Sequence, residues 1–304
     1  MTARTIAITG ATGLIGSALA RSLRDDGHTV RPLVRRPSDD PGAIRWDPAA
    51  GTIDADELTG VDAVVHLAGA GIGDKRWSAT RRREILESRT RGTDLIARTI
   101  AELPTPPSAF LSGSAIGVYG SETDGVLTEE SPPGDDFVAD VVQAWEDAAR
   151  PAIAAGIRTV FVRSALVLAR QGGILPRMAL PFRFFVGGRL GSGRQWVSWI
   201  TLDDEVAAIR FLLDRDDLSG PVNLAAPHPV TNADLFQAIG EALHRPSAVP
   251  VPAFAPRLAL GREMADSLLF ASQRVEPVVL TEAGFTFTHP ELAGALAATL
   301  GGQP

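Results

Sequence analysis

The sequence predicts an α/β fold, a doubly wound parallel sheet with helices on both faces and a small C-terminal lobe. Two observations support this prediction. Short apolar runs alternate with stretches of helical apolar spacing through the first half of the chain, which is typical of parallel strands joined by crossover helices. The first apolar run also leads directly into a glycine-rich turn at residues 9–16, and a helical pattern follows it.

The first strand, helix and strand occupy residues 5–36. The run Thr5 to Ile8 is apolar, a helical pattern then extends to Gly27, and the second apolar run, Val30 to Val34, ends in two arginines. A strand, a glycine turn, a helix and a second strand in this order form the nucleotide-binding βαβ unit of a Rossmann fold.

The glycine turn has the spacing T-G-x-x-G-x-x-G. Gly10 permits a sharp turn out of the strand, Gly13 lets the backbone approach a pyrophosphate, and Gly16 lets the helix lie close to the sheet. The alternative is a glycine-rich turn without a ligand. We predict that the turn binds a dinucleotide, through Thr9, Gly10, Thr12, Gly13, Leu14, Ile15 and Gly16.

The end of the second strand predicts which dinucleotide binds. An NAD site would place an acid there for the ribose 2′-hydroxyl, but Arg35 and Arg36 follow the strand and the next acid is Asp39. A guanidinium can bind a 2′-phosphate with paired hydrogen bonds, which a carboxylate would repel. We therefore predict NADP(H) as the cofactor, the alternative being a solvated basic pair.

Composition excludes several classes of function. The chain has 304 residues, no Cys, five scattered His and a formal net charge of −7, so we expect no disulfide, no metal site and no nucleic-acid partner. No apolar run is long enough to span a membrane, and no signal peptide precedes the first strand. We expect a cytoplasmic protein with no membrane partner.

The later strands place further candidates at the carboxyl edge of the sheet. The strand Ala63 to Leu67 ends in Leu67-Ala68-Gly69, small residues suited to a close backbone approach, and His66 inside it is predicted to be a packed core residue. A helix is predicted over residues 74–101. The strand Ala109 to Ser112 then leads into a segment with Ser112, Ser114 and Tyr119 as site candidates. The acidic loop that follows, which contains Glu130, could hold a general acid or base but is more simply a solvated loop.

The second half of the chain is less regular. A helix over Phe137 to Ala155 and a strand from Arg158 that continues to Leu168 complete the alternation. Residues from Gly172 to 197 show no simple periodicity, and the last 60 residues are proline-punctuated and mostly helical. We predict a nucleotide-binding domain of residues 1–170, to which residues 198–226 return, and a C-terminal lobe of residues 171–197 and 227–304.

The whole chain resembles the extended short-chain dehydrogenases/reductases, and within them the nucleoside-diphosphate-sugar-epimerase-like proteins of the epimerase family. The residues that carry the resemblance are TGATGLIG at 9–16, HLAGA at 66–70, DKRW at 74–77, SGSAIGVYG at 112–120, LPFRFFVGGRLGSGRQWVSWI at 180–200 and LFASQRVEPVVLTEAGFTF at 269–287. The resemblance implies NADP(H) contacts from the glycine turn, the arginine after the second strand, and Leu67, Ala68, Glu84, Arg89 and Val167.

One departure from this pattern concerns the chemistry. The superfamily uses Tyr-x-x-x-Lys, in which the lysine and the cofactor ribose lower the tyrosine pKa. Aligning on Glu146 places Val138 and Val142 at these two positions, and neither valine can transfer a proton. Standard tyrosine chemistry is therefore not expected.

Two hypotheses follow. In the first, the protein is an NADP(H)-dependent oxidoreductase or epimerase acting on an unidentified small molecule, with Ser114 and Tyr119 as catalytic candidates and Glu130 and Lys75 behind them; Arg194 could hold an anionic substrate group. In the second, it is a non-catalytic NADPH-binding or sensing protein. A homodimer is plausible for this fold.

Overall fold

The computed structural model describes residues 3–301, apart from the side chains of residues 122–124. Within this range the strands are β1 (Thr5–Thr9), β2 (Thr29–Val34), β3 (Ile44–Asp47), β4 (Thr52–Ile53), β5 (Ala63–His66), β6 (Ala109–Ala115), β7 (Glu122–Leu127), β8 (Arg158–Ser164), β9 (Leu166–Leu168), β10 (Trp196–Val197), β11 (Trp199–Thr201), β12 (Gly220–Leu224), β13 (Val230–Thr231) and β14 (Ser272–Val275). The α-helices are α1 (Leu14–Asp25), α2 (Ala79–Glu102), α3 (Phe137–Asp147), α4 (Arg150–Ala154), α5 (Leu175–Arg183), α6 (Leu202–Leu213), α7 (Asn232–Ala242), α8 (Phe254–Leu260), α9 (Arg262–Leu269), α10 (Val278–Glu282) and α11 (Leu292–Leu300).

The central sheet has the strand order β12-β8-β6-β5-β1-β2-β3-β4. Its pairings are parallel from β12 to β3, and only β4 at the edge runs antiparallel. The inner strands β1, β5, β6 and β8 are almost wholly buried because both faces of the sheet are covered. One face packs against α1 and α6, and the other packs against α2, α4 and their neighbours. The predicted doubly wound Rossmann sheet is confirmed.

The predicted helix over residues 74–101 begins later than expected. Ser78 caps α2 by accepting a hydrogen bond from the Arg81 backbone N–H at 3.1 Å. Residues 71–77 therefore form a loop, closed by the Trp77 indole N–H donating to the Ile72 carbonyl at 3.0 Å. Lys75 and Arg76 lie on this loop, beside the carboxyl edge of the sheet, and do not start the helix.

Two other predicted elements are divided in the structure. The helix predicted over residues 137–155 breaks between α3 and α4, where Pro151 stands in the first turn of α4. The strand predicted from Arg158 to Leu168 breaks at Ala165, whose N–H donates to the Leu224 carbonyl at 3.0 Å. As a result β8 stays in the central sheet, and β9 pairs with β11 instead.

Three small two-stranded sheets, β10-β13, β9-β11 and β7-β14, lie outside the central sheet, and the C-terminal helices pack around a separate apolar core. The aperiodic segment after Gly172 contains α5, a short helix with Pro181 inside it. Leu175 and Phe182 of this helix pack with Leu235 of α7 and Leu296 of α11. The division into two domains at the predicted boundaries stays a prediction. In residues 3–301 no helix is both long enough and apolar enough to cross a membrane.

Candidate functional site

The glycine turn between β1 and α1 is too tight for larger residues. Gly10 has φ +67°, and a Cβ there would lie 2.9 Å from the Leu67 backbone. A Cβ on Gly16 would lie 2.2 Å from the Gly10 carbonyl oxygen, closer than any real contact. These two glycines therefore bring the turn against the end of β5 and α1 against the turn, as their spacing predicted.

Thr9 ties the turn to the next strand end. Its buried Oγ1 accepts hydrogen bonds from the backbone N–H groups of Leu67 and Ala68, at 3.0 and 3.1 Å. The same oxygen lies 2.8 Å from His66 Nδ1. Burial lowers the His66 pKa to about 3, so this imidazole is neutral. His66 is a packed core residue, as predicted, and it helps to hold the two strand ends together.

The N-terminus of α1 is open to a ligand. Gly13 occupies the N-cap position without a side-chain cap, and the first turn contains no acidic residue. The first N–H groups of a helix have no partner within the helix and carry partial positive charge. Leu14 and Ile15, which follow Gly13, are only half-buried. The turn can thus receive a pyrophosphate on its backbone donors.

Arg35 and Arg36 stand exposed directly after β2. No ion pair joins either guanidinium to another of the described residues. Both are therefore free to bind a phosphate beside the ribose position at the end of this strand.

Arg89 lies against the segment that follows β5. Its guanidinium donates to the Ala70 carbonyl at 2.9 Å and stacks over the Trp145 ring at 5.0 Å. Burial, with a contribution from the charge of Arg81, lowers the Arg89 pKa to about 10. Glu84 is half-exposed and pairs with Arg81 at 2.8 Å, not with Arg89. Arg89 is thus a largely buried cation that has no carboxylate partner among the described side chains.

Val167 of β9 lies close to the segment that approaches the start of α1. Its carbonyl lies near Gly173, and both Gly172 and Gly173 approach the side chain of Leu14 at the start of α1. The segment after β9 therefore meets the N-terminus of α1. Gly69, in the segment after β5, lies against Arg89, since a Cβ on it would be 3.5 Å from the Arg89 side chain.

The two valines at the positions of the missing Tyr and Lys are buried on α3. Val138 and Val142 pack in an apolar cluster with Ile116 and Val118 of the turn after β6. A Cβ on Gly117 would lie 2.6 Å from Val138 Cγ1. Apolar packing has filled this place, so it offers no group that can transfer a proton.

Ser114, near the end of β6, belongs to a buried ionic network. Its hydroxyl donates to Glu146 Oε1 at 2.6 Å. Arg163 of β8 holds the same carboxylate with two hydrogen bonds, at 2.8 and 2.9 Å. Although burial opposes the charge of Arg163, this pairing raises its pKa above the normal value. The Ser114 hydroxyl therefore shares its carboxylate partner with the Arg163 guanidinium.

Tyr119, in the turn after β6, belongs to the same network. Its hydroxyl donates to Asn223 Oδ1 at 2.7 Å and accepts from Arg163 Nη1 at 3.0 Å. Burial raises the Tyr119 pKa, which Arg163 only partly offsets. Both contacts of the hydroxyl are within the protein, which favours a structural role, and its catalytic role stays a prediction.

Glu129, not the predicted Glu130, reaches this network. Glu129 Oε1 accepts from the backbone N–H groups of Asn223 and Val279 at 3.0 and 3.3 Å, while burial raises its pKa. Glu130 is exposed in a turn, and Lys75 is exposed on the loop after β5. The structure thus brings Ser114 and Tyr119 together through Arg163 but leaves Glu130 and Lys75 apart from them. Arg194 is exposed in the turn before β10.

Sequence reasoning missed Glu146, Arg163 and Asn223 as members of this network. Glu146 and Arg163 lie inside a helix and a strand that the pattern predicted, and Asn223 lies in the segment predicted to return to the nucleotide-binding domain. No local spacing, however, pairs residues from α3, β8 and β12. A charged residue within an otherwise apolar strand, as Arg163 is, was the one available signal.

Two cavities of the molecule lie elsewhere. One of about 650 Å³ opens on the C-terminal lobe between Arg189, Gln237 and Arg245. Another of about 230 Å³ lies near Thr201 and His289. Neither is lined by the glycine turn. We place the candidate site at the turn because its open helix N-terminus and its adjacent unpaired arginines converge there. No cluster of three or more potential metal ligands occurs among the described residues.

Comparison with known proteins shows the family of this chain. Residues 6–225 match the NAD dependent epimerase/dehydratase family. The chain belongs to this family. Residues 251–299 match a second model, a domain of unknown function (DUF1731). The resemblance predicted from the motifs is confirmed.

Several epimerase family proteins are similar over nearly their whole length. The chain is 43% identical to one from Mycobacterium leprae over 291 residues, which cover 96% of this chain and 94% of that protein. The crystal structure of human epimerase family protein SDR39U1 (isoform 2) with NADPH has a TM-score of 0.88 and 35% identity, and the match covers 98% of this chain and 100% of that one. A nucleoside-diphosphate sugar epimerase from Corynebacterium glutamicum has a TM-score of 0.82 and 36% identity over 99% of this chain, which spans only 59% of that longer chain.

Proposed function

We propose that this epimerase family protein is an NADP(H)-binding oxidoreductase or nucleotide-sugar-epimerase-like enzyme with a non-standard proton donor. The observation that carries the proposal is the open cradle at the N-terminus of α1, which faces the end of β5 and has unpaired arginines beside it. The presence of NADPH in the human relative supports the choice of cofactor.

The described residues fit this cofactor. Gly13 would let the backbone approach the pyrophosphate, and the N–H groups of Leu14 and Ile15 would hold it, because the Gly13 N–H already donates to the Gly10 carbonyl. Arg35 and Arg36 would hold the 2′-phosphate, and Arg89 would meet the cofactor from the segment after β5. When bound, the nicotinamide supplies hydride transfer. The residues of this chain would orient the reacting atoms and exchange the proton.

Ser114 is the best placed group for that proton. Its hydroxyl lies near the carboxyl end of β6, where ligands of such sheets bind, and the Glu146 carboxylate is its hydrogen-bond partner. A substrate oxygen at this position would compete with Glu146 for the hydroxyl proton. Tyr119 would act indirectly, because its hydroxyl orients Arg163 and Arg163 in turn orients Glu146.

Cofactor selectivity tests the first half of the proposal. Titration calorimetry with NADPH and NADH should show tighter binding of NADPH. Replacing Arg35 and Arg36 by Ala should weaken NADPH binding by about 10- to 100-fold and leave NADH binding unchanged, because charge-assisted hydrogen bonds to the 2′-phosphate are lost. Arg98→Ala, at an exposed position on α2, is the control. A preference for NADH would refute the assignment of these arginines.

A second candidate, a non-catalytic NADPH-binding or sensing protein, is favoured by the buried valines of α3. A metabolite screen that follows the NADPH absorbance band separates the two. Any substrate that oxidises bound NADPH at a useful rate rules out the second candidate. With that substrate, Ser114→Ala should abolish turnover, Tyr119→Phe should reduce it less, and full activity of the Ser114 variant would contradict the proposed donor.

A further inference from the structure

A cluster of apolar side chains projects into solvent at the end of α5. We define the Phe patch as Leu180, Phe184, Phe185, Val186 and Val249, whose exposed fractions are 51%, 69%, 59%, 50% and 46%. The two segments meet because the Val249 N–H donates to the Gly187 carbonyl at 3.2 Å. These side chains expose roughly 500 Å² of apolar surface, at about 150–200 Å² for each fully exposed residue. The largest apolar patch on a typical monomer is about 300–600 Å² and often has a function, and the Phe patch is of this size.

The side chains of the Phe patch point outward although Phe185 has an unfavourable backbone conformation. On α5, Leu175, Ala179 and Phe182 face the core, so the apolar requirement of the helix is already met. Phe185 follows with φ +62°, a left-handed conformation that bulky residues seldom adopt. Strain of this kind persists where a surrounding structure or a function requires it.

Arginines surround the patch and acids are absent from its segments. No Asp or Glu occurs between Asp147 and Asp203, or between Glu241 and Glu263. Arg183, Arg189 and Arg245 flank the patch, and the Arg245 guanidinium lies 4.9 Å from the centre of the Phe185 ring. None of the three forms an ion pair with another of the described residues. Glu241 is the one acid among the residues that line the adjoining cavity with Arg189 and Arg245. The three arginines therefore give this face an excess of positive charge, although the whole chain has a net charge of −7.

We propose that the Phe patch docks on an anionic lipid bilayer, with the two phenyl rings in the interface and the arginines on lipid phosphates. A second copy on a two-fold axis would bring like charges together. A stable protein partner would need about 800 Å² on each side, more than the patch supplies, whereas a few apolar side chains among basic residues suffice for surface binding to lipid. This departs from the expectation of no membrane partner, which rested on the missing apolar span.

Co-sedimentation of the purified full chain with vesicles tests the proposal. Binding is expected to vesicles of phosphatidylglycerol and phosphatidylcholine in a 3:7 ratio, to fall with added salt, and to be absent with phosphatidylcholine alone. Phe184→Ser with Phe185→Asn, in which Asn tolerates the positive φ, should weaken partitioning by about 30-fold. Arg183→Glu, a charge reversal at an exposed position, should weaken it by a similar factor and tests the patch by a second, independent variant.

The control is Ile153→Ser, which removes an apolar side chain of comparable exposure on α4 and should not change binding. Circular dichroism and melting establish that each variant is folded. The proposal is overturned if the folded wild type does not bind the anionic vesicles, or if the Phe184/Phe185 variant binds as tightly as wild type. Self-association or capture of an acidic protein through the patch, without vesicle binding, also overturns it.

Discussion

Replacing Glu205 by Gln is expected to change how the stability of this protein depends on pH. Glu205 lies in the first turn of α6 and is completely buried. Ser164 donates a hydrogen bond to its Oε1, and its Oε2 is buried without a hydrogen-bond partner among the described atoms. Burial, only partly offset by that hydrogen bond, raises the pKa of this carboxyl from 4.5 to about 8. At neutral pH the native protein therefore keeps a proton on Glu205.

The sign of the effect follows from the proton count. Between pH 4.5 and 8 the unfolded chain has released this proton and the native state retains it, so the free energy of unfolding falls as the pH rises. The loss is about 1.4 kcal/mol per pH unit, or about 4 kcal/mol by pH 7.5. Glutamine is neutral throughout and has no such loss. Its amide could cost about 1–3 kcal/mol at every pH if it found no acceptor, so the slope is the diagnostic quantity.

Urea unfolding between pH 6.5 and 8 measures this slope. Below pH 6.5 the buried neutral His66, whose pKa is lowered to about 3, adds an opposite slope, because stability is then lost as the pH falls. In the upper window wild type should lose about 2 kcal/mol relative to Glu205→Gln. Glu102→Gln, at an exposed position on α2, should follow wild type. Parallel curves for wild type and the Glu205 variant would refute the reasoning.

Two further changes test the packing of the site, and each has a control variant. Gly16→Ala should lower the unfolding free energy by at least about 2 kcal/mol and abolish NADPH binding in calorimetry, because its Cβ overlaps a carbonyl oxygen of the turn. The control Gly294→Ala, in open space within α11, should instead raise the unfolding free energy by up to about 1 kcal/mol. Equal effects of the two changes on the unfolding free energy would contradict the steric role of Gly16. Glu146→Gln should cost about 3 kcal/mol in urea unfolding, since it leaves the Arg163 cation buried and unpaired. The exposed neighbour Asp147→Asn should change stability by less than about 1 kcal/mol.

The first βαβ unit was predictable because its determinants are local. The strand predicted over Thr5 to Ile8 is β1, and Gly10 and Gly16 occupy the tight positions that their spacing indicated. A parallel strand buried on both faces must be nearly continuous in apolar residues, which makes it visible in sequence. The helix after Trp77 was less predictable, because the Ser78 cap competes with a pattern that reads as helical from residue 74.

The buried polar groups were not predictable in this way. Ser114, Glu146 and Arg163 come from β6, α3 and β8, and only the packing of α3 against the sheet brings them within hydrogen-bonding distance. The same packing buries Tyr119, which the sequence placed at a strand end without its hydrogen-bond partners. Pairing of this kind depends on contacts between residues distant in the chain, for which no spacing rule exists.

By itself, the sequence determined the Rossmann sheet, the glycine turn against α1 and the arginines after β2, since each depends on the order of neighbouring residues and on backbone geometry. Only the tertiary structure decided which polar groups are buried with which partners. Ser114 donates a hydrogen bond to Glu146, Tyr119 donates one to Asn223, and one carboxylate oxygen of Glu205 is buried without a partner among the described atoms. The physical reason is that the protonation and hydrogen bonding of a group are set by the surroundings that folding assembles around it.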